Sequence, residues 1–222
     1  MCKEIYFLVL TNPFIYEARL TTGLFLLYMH RYFLIYKPYK VLSQFTREED
    51  KQTLADFFFV PKDVYPVGRL DYDSEGLLIL TNDPALNHRL LNPAYKHERE
   101  YWVQVEGMIT QQALNDFTKG VVISIDGKPY KTLPATAKLF TNNPAVPERN
   151  PPVRFRKSIP TSWISLTLTE GKNRQVRRMT AKIGYPALRL IRYRIKKITL
   201  ENLLPGEIKE LTKQEIYKAL FK

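Results

Sequence analysis

The order in which strand-like and helix-like patterns follow one another limits the folds open to this chain of 222 residues. Short apolar or alternating runs predict strands at residues 31–36, 64–67, 77–80, 101–105, 121–125, 163–169 and within 188–200. Helical spacing and capping residues predict helices at residues 48–58, 85–91, 111–117, 173–183 and 212–220. Strands and helices come in mixed order, without steady βαβ alternation. The sequence therefore predicts an α+β fold with a largely antiparallel sheet and flanking helices.

Composition indicates a folded protein of a reducing compartment. Hydrophobic residues make up 45% of the chain and aromatic residues 13%, which is enough apolar surface for a core. The single cysteine, Cys2, excludes an intramolecular disulfide, and three histidines leave little material for a metal site. The uncharged run at residues 20–29 is shorter than the roughly 20 residues of a spanning helix. We expect a soluble, cytoplasmic protein without membrane association.

The positive charge is concentrated in one stretch. The formal net charge is +12, yet residues 149–197 alone contain 14 basic residues and one acidic residue, Glu170. Such a concentration is typical of a surface that binds a polyanion, with nucleic acid as the leading candidate. Within the predicted helix 173–183, Arg174, Arg178 and Lys182 fall on one face. An ordinary solvated face is the commoner explanation of such a row, but the helix lacks acidic neighbours to balance it, so we expect an RNA-facing row.

An acidic loop at residues 68–76 is the most distinctive segment. It reads Gly-Arg-Leu-Asp-Tyr-Asp-Ser-Glu-Gly, so Asp71, Asp73 and Glu75 alternate beside Arg69. A calcium loop is disfavoured because Asn82 stands where the twelfth position needs a bidentate Glu. A metal-dependent nuclease is disfavoured because the three acids share one short loop. A catalytic carboxylate kept ionised by a neighbouring cation, or a solvated turn with a surface ion pair, both remain open at this point.

Residues 68–83 resemble the catalytic motif of the RsuA-type pseudouridine synthases, and three further segments are similar to that family's motifs in the same order. These segments are residues 31–46, 99–107 and 170–189. The resemblance implies a pseudouridine synthase fold with a central cleft. It also implies an isomerase that converts a uridine of ribosomal RNA to pseudouridine without cofactor or metal. The loop at residues 149–163 is similar to that of members acting on 23S (large-subunit) ribosomal RNA.

The resemblance also implies roles for individual residues. By position in the motifs, Asp71 corresponds to the essential carboxylate, Tyr101 to the tyrosine that packs on the target base, and Arg177 to the basic partner of the aspartate. Leu188 falls in the motif that supplies an apolar wall, and we expect Arg69 to position the loop or contact the phosphate backbone. The residues do not decide whether Asp71 acts as a nucleophile or as a base.

The motif match begins near residue 31, which suggests how the chain is organised. We expect residues 1–30 to be an N-terminal extension of unknown role, without the S4 RNA-binding module of most members, and residues 31–222 to be the catalytic domain. The expected partner is large-subunit ribosomal RNA or its precursor, bound by a monomer. The alternative function is a non-catalytic rRNA-binding or ribosome-assembly factor that keeps the basic face and has lost the chemistry.

Overall fold

The computed structural model describes residues 29–153, 158–200 and 202–222, together with the backbone of residues 17–20 and 23–26. The chain divides into two compact units, Met1–His30 and Arg31–Lys222. In the first unit, the described residues form an antiparallel hairpin of strands β1 (Glu17–Leu20) and β2 (Gly23–Leu26).

The described part of the second unit consists of one large sheet, smaller strand pairs and four α-helices. Its strands are β3 (Tyr32–Lys37), β4 (Val41–Leu42), β5 (Gln52–Thr53), β6 (Tyr65–Pro66), β7 (Glu75–Thr81), β8 (Arg99–Glu106), β9 (Val122–Ile125), β10 (Lys128–Lys131), β11 (Thr136–Leu139), β12 (Thr161–Leu168), β13 (Ala187–Ile195), β14 (Ile198–Thr199) and β15 (Ile208–Leu211). Its α-helices are α1 (Pro84–Leu91), α2 (Gln111–Thr118), α3 (Gln175–Lys182) and α4 (Lys213–Phe221).

The large sheet has the strand order β11-β12-β8-β13-β7-β3-β15, with β6 added to β7 and β14 added to β13. All strand pairs in this sheet are antiparallel except the central pair of β7 and β13. The predicted α+β fold with a largely antiparallel sheet is therefore confirmed.

Apolar clusters cover both faces of the central strands. All residues of β3 and β7 are buried, which explains why both read as continuous apolar runs rather than as alternating patterns. On one face, Leu77 and Ile79 pack with residues of α1 and α4, and on the other Leu78 and Leu80 pack with Leu54 and its neighbours. A third cluster joins β8, β12 and β13 to α2 and α3. The helices thus anchor both halves of the sheet.

Local signals located most elements, with one clear failure. Asp83 caps α1 by accepting from the N–H groups of Ala85 and Leu86, and Pro84 occupies the first helical position. The helix predicted at residues 48–58 is wrong. That segment forms β5, which pairs with β4, followed by a short 3₁₀ turn, Leu54–Asp56. Burial of Leu54 and Phe58 against β3 and β7 produces the apolar spacing that imitates a helix.

The parallel pair at the centre of the sheet depends on Gly76. Only Glu75 and Gly76 of β7 pair with β13, opposite Ile191 and Arg192. Gly76 has a φ of +112°, and a Cβ at this position would lie 2.4 Å from the carbonyl oxygen of Arg192. A side chain therefore cannot fit without moving the backbone of β13.

We predict that Gly76→Ala lowers the free energy of unfolding by about 3 kcal/mol or more, because it combines backbone strain with overpacking against a strand. Chemical denaturation of the purified variant measures this loss. Gly171→Ala is the matched control, since a Cβ at Gly171 meets no atom within 4 Å. The control is expected to stay within about 0.5 kcal/mol of wild type. Equal stability of the two variants would contradict the close approach of the strands.

Candidate active site

The acidic loop before β7 is held in place through its backbone. Ser43 Oγ accepts a hydrogen bond from Leu70 N at 3.0 Å and donates one to Leu70 O at 2.8 Å. The N–H of Ser74 donates to the carbonyl oxygen of Asp71 at 3.0 Å, which closes a turn over residues 71–74. The loop then enters the buried strand β7, so both sides of Asp71 are fixed.

Asp73 forms ion pairs with two arginines at the start of α3, Arg174 and Arg177. Arg174 donates from Nη1 and Nη2 to the two carboxylate oxygens of Asp73, at 2.8 Å each. Arg177 Nε lies 3.3 Å from Asp73 Oδ2, and Arg177 Nη2 donates to the Asp73 carbonyl oxygen. Arg174 precedes α3 with a left-handed backbone (φ +50°) and Arg177 lies in the first turn of the helix, and their two guanidinium groups converge on one carboxylate.

This geometry corrects the pairing that the resemblance implies. Arg177 was expected to pair with Asp71, but it pairs with Asp73. The guanidinium that reaches Asp71 is that of Arg174, whose Nη1 lies 3.8 Å from Asp71 Oδ2. Arg174 thus contacts both aspartates. Its guanidinium lies against the acidic loop, and not in the outer RNA-facing row in which it was expected.

The charges of this cluster are stabilised by one another. Burial acts to raise the pKa of Asp73, but the hydrogen bonds from Arg174 and the charge of Arg177 hold that pKa below its usual value. Burial lowers the pKa of Arg177, and the charge of Asp73 opposes that effect. Asp73 and its two arginines therefore stay ionised at neutral pH.

We predict that Asp73→Asn lowers the free energy of unfolding at pH 7, and that the difference from wild type shrinks as the pH falls below about 4. A depressed carboxyl pKa stabilises the fold above the unfolded-state pKa, and this contribution is lost as the pH falls through the folded-state pKa. Urea denaturation at several pH values measures the difference. The control is Asp50→Asn at an exposed position. A difference for Asp73→Asn that stays constant down to pH 2 would contradict the prediction.

A cleft of about 640 Å³ opens beside Asp71. Its lining includes Arg69 and Asp71 of the acidic loop, Tyr101 of β8, and Arg174, the residue immediately before α3. Leu190, on β13, contributes to its apolar lining. The structure therefore brings four of the predicted site residues into one cavity, although they come from three distant parts of the chain.

The other predicted site residues lie outside the lining of this cleft. Leu188 instead lines a small cavity of about 170 Å³ with Tyr39 and Arg149. The register of β13 shifts between Ala187 and Arg189, which changes the alternation and gives Leu190 the place expected for Leu188. On α3, Arg178 donates to the carbonyl oxygen of Ser124 and to Asn173, while Lys182 is exposed.

Much of the basic stretch is neutralised by acids that are distant in sequence. Arg189 forms a buried bidentate ion pair with Glu75, at 2.9 and 2.8 Å. Arg194 pairs with Glu100 at 2.7 Å. The expectation of an unbalanced basic face therefore overcounts the charge available to RNA. Residues 154–157 of the stretch lie outside the described residues.

Sequence reasoning also missed a buried lysine behind the acidic loop. Lys37 is fully buried, and its Nζ donates to the carbonyl oxygens of Pro38 and Val41, at 2.9 and 2.6 Å. Burial lowers the pKa of Lys37 to about 7, against the charges of Glu75, Asp73 and Asp71, which raise it. Lys37 directly follows the first predicted strand and precedes Pro38, but nothing in the sequence pattern indicated that its side chain is buried.

The described residues form neither a metal site nor a membrane-spanning helix. Within the described ranges, no group of three or more His, Cys, Asp or Glu side chains is arranged to hold a metal ion. Among the helices that the structure describes, none is long and apolar enough to cross a membrane.

Comparison with known proteins agrees with this site. The family model described as RNA pseudouridylate synthase matches residues 31–182, which include the acidic loop, β8 and α3. The chain belongs to the RNA pseudouridylate synthase family.

Individual relatives are similar over most of the chain. A protein of Vibrio vulnificus (strain CMCP6) named ribosomal large subunit pseudouridine synthase E is 53% identical over 176 residues, which is 79% of this chain and 73% of that protein. A protein of the same name from Xanthomonas axonopodis pv. citri (strain 306) is 49% identical and covers 78% of this chain and 89% of its own length. A crystal structure of a pseudouridylate synthase superposes with a TM-score of 0.70 at 26% identity, covering 89% of this chain and 77% of that chain.

Proposed function

We propose that this protein converts one uridine of large-subunit (23S) ribosomal RNA, or of its precursor, to pseudouridine, with Asp71 as the essential carboxylate. The observation that carries the proposal is the different surroundings of the two aspartates. Asp73 is held in bidentate contact by Arg174, whereas Asp71 lines the cleft with one guanidinium at 3.8 Å. The names of the similar proteins support the RNA class.

The proposed reaction needs an ionised carboxylate near the sugar and base. The C1′–N1 bond of the uridine breaks and a C1′–C5 bond forms, with Asp71 acting either as nucleophile or as base. Because a stacked base cannot reach the cleft, the uridine must flip out of its helix or loop. Tyr101 then packs on the flipped base, and the guanidinium of Arg174 lies 3.8 Å from the Asp71 carboxylate. Arg177 acts on Asp71 indirectly, through Asp73 and the position of the loop.

The organisation of the chain and its setting complete the proposal. Residues 31–222 act as the catalytic domain and residues 1–30 as an N-terminal extension, which is supported by the division of the chain at His30 and the start of the family match at residue 31. We expect a monomer that acts in the cytoplasm, where ribosomal RNA is found. Leu188 lines a small cavity with Arg149, so we expect it to contact RNA beside the cleft rather than to form the wall of the cleft.

We predict that Asp71→Asn abolishes pseudouridine formation while its affinity for the RNA stays within about tenfold of wild type, a difference of about 1.4 kcal/mol. The variant removes the reacting charge and leaves the shape of the side chain unchanged. Single-turnover conversion of large-subunit rRNA, with mapping of the modified uridine, measures the first quantity, and filter binding measures the second.

Asp50→Asn serves as the matched control and should convert the RNA at the wild-type rate. Conversion must also persist in EDTA, because the proposed reaction uses no metal. Turnover by Asp71→Asn would show that the carboxylate is assigned to the wrong residue. Tight binding by wild-type protein without any conversion would instead favour the non-catalytic rRNA-binding or ribosome-assembly factor.

We predict that replacing exposed Arg69 and Lys182 together by Gln weakens RNA binding and lowers the slope of log K against log salt. Each lost phosphate contact reduces that slope by about 0.7 to 0.9, because fewer counterions are released. Binding measured between about 50 and 200 mM salt gives the slope. Lys119→Gln, which removes a lysine outside the basic stretch, is the control and should leave it unchanged. Equal slopes for wild type and the double variant would place the RNA elsewhere.

A further inference from the structure

Arg192 occupies a central position in the sheet beside the cleft. It lies on β13, opposite Tyr101 of β8 in the antiparallel register and opposite Gly76 of β7 in the parallel register. Side chains directly opposite each other on paired strands share a face of the sheet, so Arg192 and Tyr101 are neighbours. Both residues line the cleft that Asp71 enters.

The guanidinium of Arg192 is buried but only partly bonded. The residue is 5% exposed, and Nε donates to the carbonyl oxygen of Leu77 at 2.8 Å. Nη2 is buried and finds no hydrogen-bond acceptor among the described residues. Ser74 Oγ, which lines the same cleft, is likewise buried without a partner there. A buried donor without an acceptor costs about 1–3 kcal/mol, and more when it is charged.

Arg192 also differs from the other arginines of β13 in how its charge is balanced. Arg189 pairs with Glu75 and Arg194 pairs with Glu100. Within the described part of the chain, no carboxylate lies within 4 Å of the Arg192 guanidinium. Burial lowers the pKa of Arg192, while a hydrogen bond to Tyr101 and the charge of Asp71 act to raise it, and a guanidinium remains charged in proteins. Arg192 is thus a fixed positive charge at the wall of the cleft.

The proposed reaction creates a need for such a group. When the C1′–N1 bond breaks, its electron pair stays on the uracil ring and spreads over O2 and O4. After the base turns, the pair of electrons forms the C1′–C5 bond, C5 loses its proton and N1 gains one. A cationic donor held on a carbonyl oxygen stabilises the separated base whether Asp71 acts as nucleophile or as base.

We propose that Arg192 is a further catalytic residue, which donates a hydrogen bond from Nη2 to a carbonyl oxygen of the flipped uracil. The proposal rests on the proposed function, since it needs a uracil in the cleft. Arg192 keeps its proton throughout the reaction. The charges of Arg177 and Arg174 are balanced by carboxylates of the acidic loop. Arg192 instead directs Nη2, which has no acceptor among the described residues, to the base.

The test compares Arg192→Gln, Arg192→Lys and the control Arg194→Gln in single-turnover conversion of the rRNA uridine that wild-type protein modifies. We predict that Arg192→Gln slows conversion by about 100-fold or more, with RNA affinity within about tenfold. Arg192→Lys should recover part of the rate, and Arg194→Gln should stay close to wild type. Circular dichroism and thermal melting establish that each variant is folded.

A change in the substrate separates contact with the base from a structural role. The same RNA fragment is prepared with 2-thiouridine or 4-thiouridine at the target position, because sulfur accepts hydrogen bonds weakly. One of the two changes should slow wild type and Arg194→Gln, yet have little further effect on Arg192→Gln. If Arg192→Gln does not fold, Arg192→Lys carries the same comparison, with a smaller sulfur effect than wild type expected.

Three outcomes contradict different statements. If wild-type protein fails to convert any rRNA uridine, the proposed function is wrong. If wild type converts the uridine and Arg192→Gln does so within about threefold, the function stands and the role of Arg192 is wrong. If the sulfur and arginine effects simply multiply for both analogues, or neither analogue slows wild type, Arg192 does not contact a carbonyl oxygen of the base and the inference is overturned.

Discussion

The short parallel contact between β7 and β13 is the constraint on which the site depends. It joins the two halves of the sheet through only two residue pairs, and it exists because Gly76 has no side chain to separate the strands. Glu75, the residue before it, is buried and paired with Arg189 of β13. The acidic loop ends at this contact, so the position of Asp71 relative to Tyr101 and Arg192 is set by backbone geometry rather than by surface contacts.

A buried ion pair and a partly exposed cluster reinforce this junction, and each member of the buried pair would be unfavourable without its partner. Removing one member of a buried pair leaves an uncompensated charge, which commonly costs about 3–5 kcal/mol. Glu75 and Arg189 form the buried pair, whereas Asp73, which is partly exposed, pairs with Arg174 and Arg177. Lys37 adds a buried amine near the same acids, and its pKa is lowered to about 7. The acids of one loop are therefore the counter-charges of a basic stretch that lies about a hundred residues later in the chain.

The sequence predicted the elements of this fold better than it predicted their contacts. Strong local signals, such as the Asp83 cap and Pro84 of α1, located helices and strands to within a few residues. The helix expected at residues 48–58 failed because tertiary burial of Leu54 and Phe58 produced the spacing. The motifs singled out Asp71 and Tyr101, and the structure shows that Arg69 and Arg174 line the same cleft. No local pattern could tell which aspartate pairs with Arg177, because that depends on how α3 meets a loop distant in sequence.

The same limit explains why the count of basic residues was informative but incomplete. A net charge in one stretch cannot distinguish an arginine that faces solvent from one that neutralises a distant carboxylate, and Arg189 and Arg194 are of the second kind. The arrangement also separates the roles of the acids. Asp73 carries the ion pairs that hold the loop on α3, and among the described residues the Asp71 carboxylate has one ion pair, the 3.8 Å contact to Arg174. A carboxylate held in bidentate contact on both oxygens could not easily act on a substrate. The anchoring of Asp73 is therefore what makes Asp71 available at the cleft.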